Sequence, residues 1–182
     1  MITKGTFLIA SPLLEKGLYF RSVVLICEHN VGGSFGIVIN KPLNIEFPDE
    51  LFRLEEQANL NISILSGGSI QPNQMILLHS GKSSPEQTLQ VCEDVFLGGN
   101  LEFLQKNIVE ANGPYIHLCF GYSAWGPGLL EKEILAGAWF SHPANSEYVF
   151  KMPRAKIWTS LLKSMGGKYA AFAMIPEDLS LN

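Results

Sequence analysis

The chain has 182 residues, a formal net charge of −4, 47% hydrophobic residues and 16% charged residues. This length and composition suit one compact domain with its own core and exclude an intrinsically disordered chain. Acidic residues outnumber basic ones, which argues against direct nucleic-acid binding because that binding relies on Lys and Arg at the phosphates.

Cys27, Cys92 and Cys119 are an odd number of cysteines at no repeated spacing. This pattern is typical of reduced thiols in the cytosol rather than of a disulfide framework. The first apolar run is too short for a secretory signal, and no apolar stretch approaches the roughly 20 residues of a membrane span. We therefore expect a cytoplasmic protein that makes no membrane contact.

The first half of the chain alternates short apolar runs with turn residues. Such runs predict strands at residues 6–10, 22–27, 35–39, 62–65 and 75–79. Residues 28–34 are interpreted as a glycine turn, so that 22–40 is a hairpin and His29 lies beyond the end of its first strand. Further turns are predicted at 66–69 and 71–73. Residues 48–58 begin with a proline and carry a spaced apolar stripe, which predicts a helix.

The second half adds more helices. Helices are predicted after Asn100, which can cap the first turn, and at 127–136 and 153–165. Residues 84–87 have the form of a helix capping box, but 88–97 favour a strand. Further strands are predicted at 115–120, 138–140 and 148–151. Strands outnumber helices, so we predict an α+β fold: a compact single domain over residues 1–182, with a mixed, mainly antiparallel sheet and flanking helices.

Residues 119–140 have the strongest features of a site. They are predicted to form a strand end, a tight glycine turn and a short helix, and they hold Trp125 and Trp139. Ser123 stands where a nucleophile elbow would place its serine, but Ala124 replaces the elbow's second glycine and a bulky tryptophan follows. These substitutions disfavour a serine nucleophile here.

Two Cys–His pairs have a spacing that suits metal ligands. Cys27 and His29 are two residues apart, as are His117 and Cys119, and residues two apart on a strand share a face. His29, however, is predicted to lie in the turn, and isolated cysteines commonly pack as small hydrophobes. We therefore expect no metal site.

Glycine turns at 32–33, 67–68 and 126–128 could cradle an anion with free backbone N–H groups. The same glycines could instead serve positive φ angles in tight turns. No glycine motif for nucleotide binding occurs, so we expect no cofactor.

Two long segments resemble one known family. Residues 121–139, GYSAWGPGLLEKEI…W, and residues 20–42, FRSVVLICEHNVGGSFGIVINKP, are similar to the signatures of the AlgH/YqgE-like family of uncharacterised bacterial proteins. The opening GTFLIASP, the pair 67–68 and the closing SLN also fit, so the resemblance covers the whole chain. Departures from the usual family pattern occur at Ser69, Ser123, Ala124 and Leu129. The resemblance implies a compact α+β fold, a cytosolic location and a role as a transcriptional regulator.

The leading hypothesis is a non-enzymatic ligand-binding or regulatory protein, whose partner is an unknown small ligand or protein. Aromatic side chains, glycines and a few polar groups are what a small-ligand pocket requires. The candidate pocket residues are Glu28, His29, Asn40, Lys41, Gly67, Gly68, Tyr122, Trp125, Gly128 and Glu131.

Two alternatives remain open. One is a hydrolase that uses Glu28 and His29 as an acid–base pair. The other is nucleic-acid binding through the basic residues of 151–168, which the acidic balance of the chain disfavours.

Overall fold

The computed structural model describes residues 2–45, 60–81 and 88–176. Its strands are β1 (Thr6–Ala10), β2 (Val23–Asn30), β3 (Gly33–Val38), β4 (Ile62–Ser66), β5 (Ile70–His79), β6 (Thr88–Cys92), β7 (Val95–Gly98), β8 (Ile116–Trp125) and β9 (Trp139–Pro143). Its helices are α1 (Leu101–Ile108), α2 (Leu129–Leu135), α3 (Arg154–Met165) and α4 (Gly167–Phe172). No helix among the described residues is both long and apolar enough to cross a lipid bilayer.

The strands form one curled sheet in the order β6-β7-β5-β8-β3-β2-β1-β9, and β4 also pairs with β8. The β4–β8 pair is parallel, whereas the other pairs are antiparallel. The predicted α+β fold, a compact single domain with a mixed, mainly antiparallel sheet and flanking helices, is confirmed.

β8 is the strand that joins the two halves of the sheet. Its first residues pair with β4, from Ile116 to Phe120, and its last residues pair with β3, from Ser123 to Trp125. The neighbour therefore changes beside Gly121, whose φ of 75° bends the strand without ending it. β5 pairs along the opposite edge of β8.

The central strands bury both of their faces. On one face, Leu25 and Ile37 belong to a core cluster with Ile157 and Leu161 of α3. On the other face, which we call the α2 face, Ile26, Val38 and Trp125 pack with Leu130 of α2. Successive strand residues point to opposite faces, so the continuous apolar runs of β1 and β2 supply both clusters.

Three predicted turns or strand ends are wrong. β2 continues through Glu28 and His29, because both residues pair across the hairpin with β3. β5 contains no turn at 71–73, since the extra residues form an irregularity between Ile70 and Met75 while the strand goes on. β8 likewise runs through 121–125 where a glycine turn was predicted, because β3 and β5 hold both of its edges.

Two other predictions need correction. Residues 88–97 form two strands, β6 and β7, rather than one. Residues 147–151 form a π-helical turn instead of a strand. Val149 and Phe150 are both buried, and a helical turn directs two successive side chains into one core whereas a strand directs them apart.

Three of the four helices, α1, α2 and α3, agree with the predictions, whereas α4 was not predicted. Asn100 caps α1 through its Oδ1, which accepts a hydrogen bond from the backbone N–H of Phe103 at 2.8 Å. α2 and α3 lie within the ranges predicted for them. The predicted helix at 48–58 and the capping box at 84–87 lie outside the described residues.

Candidate functional site

The end of the β2–β3 hairpin lies beside the end of β8. His29 of β2 pairs with Ser34 of β3, which in turn pairs with Trp125 of β8. The turn is short because the Asn30 side chain accepts a hydrogen bond from the backbone N–H of Gly32 at 2.7 Å. This arrangement brings residues from three separate parts of the chain to one edge of the molecule.

His29 lies between the hairpin and α2. Its Nδ1 is 2.8 Å from Ser34 Oγ, and its Nε2 is 3.5 Å from Glu131 Oε1. The Glu131 side chain is 49% exposed, so water screens this contact. Ser34, His29 and Glu131 thus form a polar chain on the α2 face.

Glu133 binds two tryptophans on the same face. Its Oε2 accepts hydrogen bonds from the indole N–H groups of Trp125 and Trp139, both at 2.8 Å. The two indole rings meet edge to face, with centroids 6.1 Å apart. Glu131 and Glu133 are two residues apart on α2 and reach different partners, as their helical spacing predicts.

The end of the hairpin also carries an open cavity of about 280 Å³, which we call the hairpin cavity. Glu28, Phe35 and Ala124 are cross-strand neighbours and share the face opposite the α2 face. The hairpin cavity is lined by Glu28, Asn30, Gly32, Gly33, Ser34, Phe35, Ala124 and Trp125. The ring of Phe35 contacts Tyr122, with a centroid separation of 5.1 Å.

Glu28 and His29 do not contact each other. Glu28 Oε1 accepts a hydrogen bond from the Asn30 side chain at 2.7 Å, whereas His29 contacts Ser34 and Glu131. Neighbouring residues on a strand point to opposite faces of the sheet. The predicted acid–base pair of Glu28 and His29 is therefore wrong in its geometry.

Asn40 and Lys41 bind backbone groups of the protein itself. The Asn40 side chain accepts from the N–H of Val23 at 2.8 Å and donates to the carbonyl of Arg21 at 2.9 Å. Lys41 Nζ donates to the carbonyl of Phe20 at 2.6 Å. These contacts fasten the segment after β3 to the segment before β2.

Gly67 and Gly68 allow two backbones to cross. A Cβ on Gly68 would lie 1.9 Å from the carbonyl carbon of Tyr122, and one on Gly67 would lie 2.4 Å from the oxygen of Gly121. Gly33 makes a similar approach, since its Cβ would lie 2.2 Å from the Trp125 oxygen. Gly67 and Gly68 therefore contact the middle of β8 and Gly33 contacts its end, in each case against backbone atoms, and the glycine segments lie along one strand.

Gly128 has a different setting. Its φ is 71°, and a Cβ there would meet no atom within 4 Å. It immediately precedes α2, so its left-handed backbone turns the chain from the end of β8 into that helix.

Ser123, Cys27 and Cys119 are enclosed, whereas Cys92 is half-buried. Ser123 is fully buried, and its Oγ accepts a hydrogen bond from the Tyr19 hydroxyl at 3.0 Å. Burial raises the pKa of the Cys119 thiol to about 12 and the pKa of the Cys27 thiol further still. Both thiols therefore stay protonated at neutral pH, which leaves them poor nucleophiles and poor metal ligands.

His117 lies in the core, away from the hairpin cavity. Its Nε2 is 2.8 Å from the Val149 oxygen and 2.7 Å from an Arg154 nitrogen. Burial, helped by the Arg154 charge, lowers the pKa of His117 to about 3. Within residues 2–45, 60–81 and 88–176, no group of three or more His, Cys, Asp or Glu side chains could hold a metal ion.

Sequence reasoning missed Asn30, Ser34 and Phe35. Their positions follow from the hairpin register, which pairs residue 29 with 34 and residue 28 with 35. A predicted two-residue turn at Val31-Gly32 leads to this register, whereas the seven-residue turn predicted at 28–34 leaves these residues unpaired.

Comparison with known proteins places the chain in a family. A family model described as AlgH-like matches residues 7–170. A UPF0301 protein of Chlamydia abortus is 48% identical over 182 residues, which cover 100% of this chain and 96% of the relative. A UPF0301 protein of Cytophaga hutchinsonii is 34% identical, with 100% of both chains covered.

Two solved structures share the fold. The AlgH protein from Pseudomonas aeruginosa has a TM-score of 0.70 and 26% identity, with 95% of this chain and 94% of that chain covered. A protein from Corynebacterium diphtheriae has a TM-score of 0.74 and 18% identity, with 96% and 93% covered. The matched model, the close relatives and the shared fold together show that this chain belongs to the AlgH-like family.

Proposed function

We propose that this protein binds a small ligand in the hairpin cavity and acts through that binding, as a regulatory protein of the cytoplasm, rather than by catalysis. The observation that carries the proposal is the hairpin cavity itself. It combines the aromatic ring of Phe35 with the carboxylate of Glu28, and ligand sites typically unite apolar walls with a few oriented polar groups.

The proposal narrows the predicted pocket. Glu28 and Trp125 line the hairpin cavity, and Tyr122 supports it through Phe35. The hydrogen bonds of Asn40 and Lys41 and the close packing of Gly67 and Gly68 support structural roles for those four residues. His29, Gly128 and Glu131 lie on the α2 side of the hairpin and do not line the hairpin cavity.

We further propose that the protein regulates transcription when it binds its ligand. The net charge of −4 favours an effect exerted through a partner over direct contact with DNA. The three free cysteines are compatible with a reducing cytoplasm.

A ligand screen by thermal shift tests the proposal. Ala124 is exposed and lines the hairpin cavity, so Ala124→Phe fills the space without removing a side-chain hydrogen bond. Leu89→Phe, at an exposed position on β6, is the matched control. We expect compounds that raise the melting temperature of the wild type and of Leu89→Phe but not of Ala124→Phe. Stabilisation that survives in Ala124→Phe would place the ligand elsewhere and contradict the proposal.

A second candidate function is hydrolysis, which the polar chain of Ser34, His29 and Glu131 favours. In this reading Ser34 is the nucleophile, His29 the base and Glu131 the group that orients the base. Against it, Ser34 is only 7% exposed, which restricts access of a substrate to its hydroxyl, and the His29–Glu131 contact is 3.5 Å long. The second candidate predicts that a fluorophosphonate probe labels the wild type but not Ser34→Ala. If the probe does not label the wild type, hydrolysis with Ser34 as the nucleophile is excluded.

A further inference from the structure

We propose that the ligand of the hairpin cavity is an organic cation, whose ammonium group binds Glu28 and whose apolar body packs on Phe35. This inference rests on the proposed function, because it assigns a chemical class to the ligand of the same cavity. Three features of the cavity support a cationic ligand: the hydrogen bonding of the Glu28 carboxylate, the charges that line the cavity, and the aromatic ring of Phe35.

The exposed carboxylate of Glu28 already accepts a side-chain hydrogen bond before any ligand arrives. Asn30 donates to its Oε1 at 2.7 Å, and Asn30 is itself fixed by the backbone N–H of Gly32 at 2.7 Å. Within the described part of the chain, Oε2 of Glu28 has no hydrogen-bond partner. An oriented carboxylate with a free oxygen is a strong acceptor for a charged N–H donor.

The charges favour a cation over an anion. Among the described residues that line the hairpin cavity, Glu28 is the only charged side chain. Glu131 adds a second negative charge on the other side of the same hairpin, at His29. An anionic ligand would meet like charge and no lining Lys or Arg, and that juxtaposition opposes its binding.

The wall beside Glu28 suits the apolar part of such a ligand. Phe35 is half-buried, is a cross-strand neighbour of Glu28 and is held by ring contact with Tyr122. Ala124 lies on the other side of Phe35 in the same row, and its small side chain leaves the space open. An aromatic face next to a carboxylate is an arrangement that binds ammonium groups through both charge and cation–π attraction.

Calorimetric titration with a series of probes that share one aromatic body tests the inference. The probes are phenethylamine, which is a cation at neutral pH, 2-phenylethanol, which is neutral, and 3-phenylpropionate, which is an anion. We expect the amine to bind roughly tenfold or more tightly than the other two, because only the amine can pair with Glu28. An acetylated and amidated Lys-Phe peptide, titrated in parallel, distinguishes a free amine from a lysine side chain as the source of the cation.

Two variants locate the binding. Glu28→Gln should weaken binding of the amine by roughly tenfold or more, since it removes the charge and keeps the size. Glu110→Gln removes an exposed carboxylate just beyond α1 and should leave the affinity unchanged. Phe35→Leu, which keeps an apolar side chain, should weaken the amine and the alcohol together.

The results separate this inference from the proposed function. If the alcohol or the propionate binds as tightly as the amine, and Ala124→Phe abolishes that binding, the cation assignment is overturned and the cavity remains a ligand site. If the amine binds equally to the wild type and to Glu28→Gln, the inference is overturned as well. If none of the probes binds, the cation assignment fails, and the thermal-shift screen alone decides whether the cavity is a ligand site.

Discussion

Glu133 shows how one carboxylate fixes the α2 face. Both of its indole partners are buried, Trp125 at 7% and Trp139 at 3% exposure. A buried indole N–H without an acceptor has lost the hydrogen bond that it donates to water in the unfolded chain and gains none in the folded protein. The side chain of Glu133 therefore stabilises two strands, β8 and β9, from one position on α2.

Replacement of Glu133 is expected to destabilise the protein far more than replacement of its neighbour. Glu133→Ala leaves two indole N–H groups without an acceptor and should lower the free energy of unfolding by about 2–4 kcal/mol. Glu131→Ala removes an exposed carboxylate and should cost about 1 kcal/mol or less. Both changes introduce alanine into α2, so helix propensity cancels in the comparison. Equal losses in urea unfolding would refute the role of Glu133.

His117 makes the stability of the fold depend on pH. Its pKa is lowered to about 3 in the folded state, chiefly by burial and further by Arg154, while the unfolded chain binds a proton near pH 6.5. Burial also lowers the pKa of His79, which acts in the same direction. Below about pH 6.5 the unfolded chain binds a proton at His117 that the folded protein does not bind. The folded state is therefore fully favoured, as far as His117 is concerned, above about pH 6.5, and this contribution to the free energy of unfolding is lost as the pH falls toward 3.

A substitution at His117 should reduce the loss of stability at low pH. Between about pH 6 and pH 4 the free energy of unfolding should fall more steeply in the wild type than in His117→Gln, by up to ~1.4 kcal/mol per pH unit. Urea unfolding at a series of pH values measures the difference. His142→Gln, on the edge strand β9, should follow the wild type. A wild type and a His117→Gln variant with parallel profiles would contradict the assignment.

Among the elements, β8 organises the fold, and the sequence revealed only its first part. The apolar run at 115–120 predicts a strand, and the glycine at 121 reads as its end. The strand continues because β3 and β5 supply hydrogen bonds to both of its edges, and those partners are distant in sequence. Local pattern cannot show such pairing, which is why Trp125 was predicted in a turn and lies in a strand.

The hairpin illustrates the same limit for the candidate site. The apolar runs of β2 and β3 predict the hairpin, and the unusual residues Glu28, His29 and Trp125 direct attention to its end. Which of these side chains share a face depends on register, and the irregularity in β2 between Ile26 and Glu28 changes that register. Glu28 and His29 were paired because both were predicted to lie in the turn, although the strand directs them to opposite faces.

The crossing at Gly67-Gly68 gives an element-level prediction. Gly68→Ala forces a Cβ to within 1.9 Å of the Tyr122 backbone and should destabilise the protein by about 3 kcal/mol or more, because neither backbone can move without breaking strand pairs. Gly126→Ala, where a Cβ would meet no atom within 4 Å, should change stability by less than about 1 kcal/mol. Thermal unfolding of the two variants measures the contrast. A Gly68→Ala variant as stable as Gly126→Ala would show that the close approach is absent.

At the scale of the whole molecule, the two faces of the hairpin differ in what packs against them. The α2 face is filled by the tryptophans, Leu130 and the polar chain of His29, while Glu28, Phe35 and Ala124 on the opposite face line the hairpin cavity. We propose that residues 1–182 act as one domain, in which the packed α2 face supports the hairpin cavity. We propose that the protein meets its ligand at this cavity.

Backbone amide NMR of the whole chain during titration with phenethylamine tests that claim most directly, since it reports the position of binding residue by residue. We predict the largest shifts at the amides of Asn30, Gly32, Gly33 and residue 124 in the wild type, and no such shifts in the Ala124→Phe variant. Shifts centred on Gly67, on α3 or on the basic residues of 151–168, with the hairpin unchanged, would contradict it.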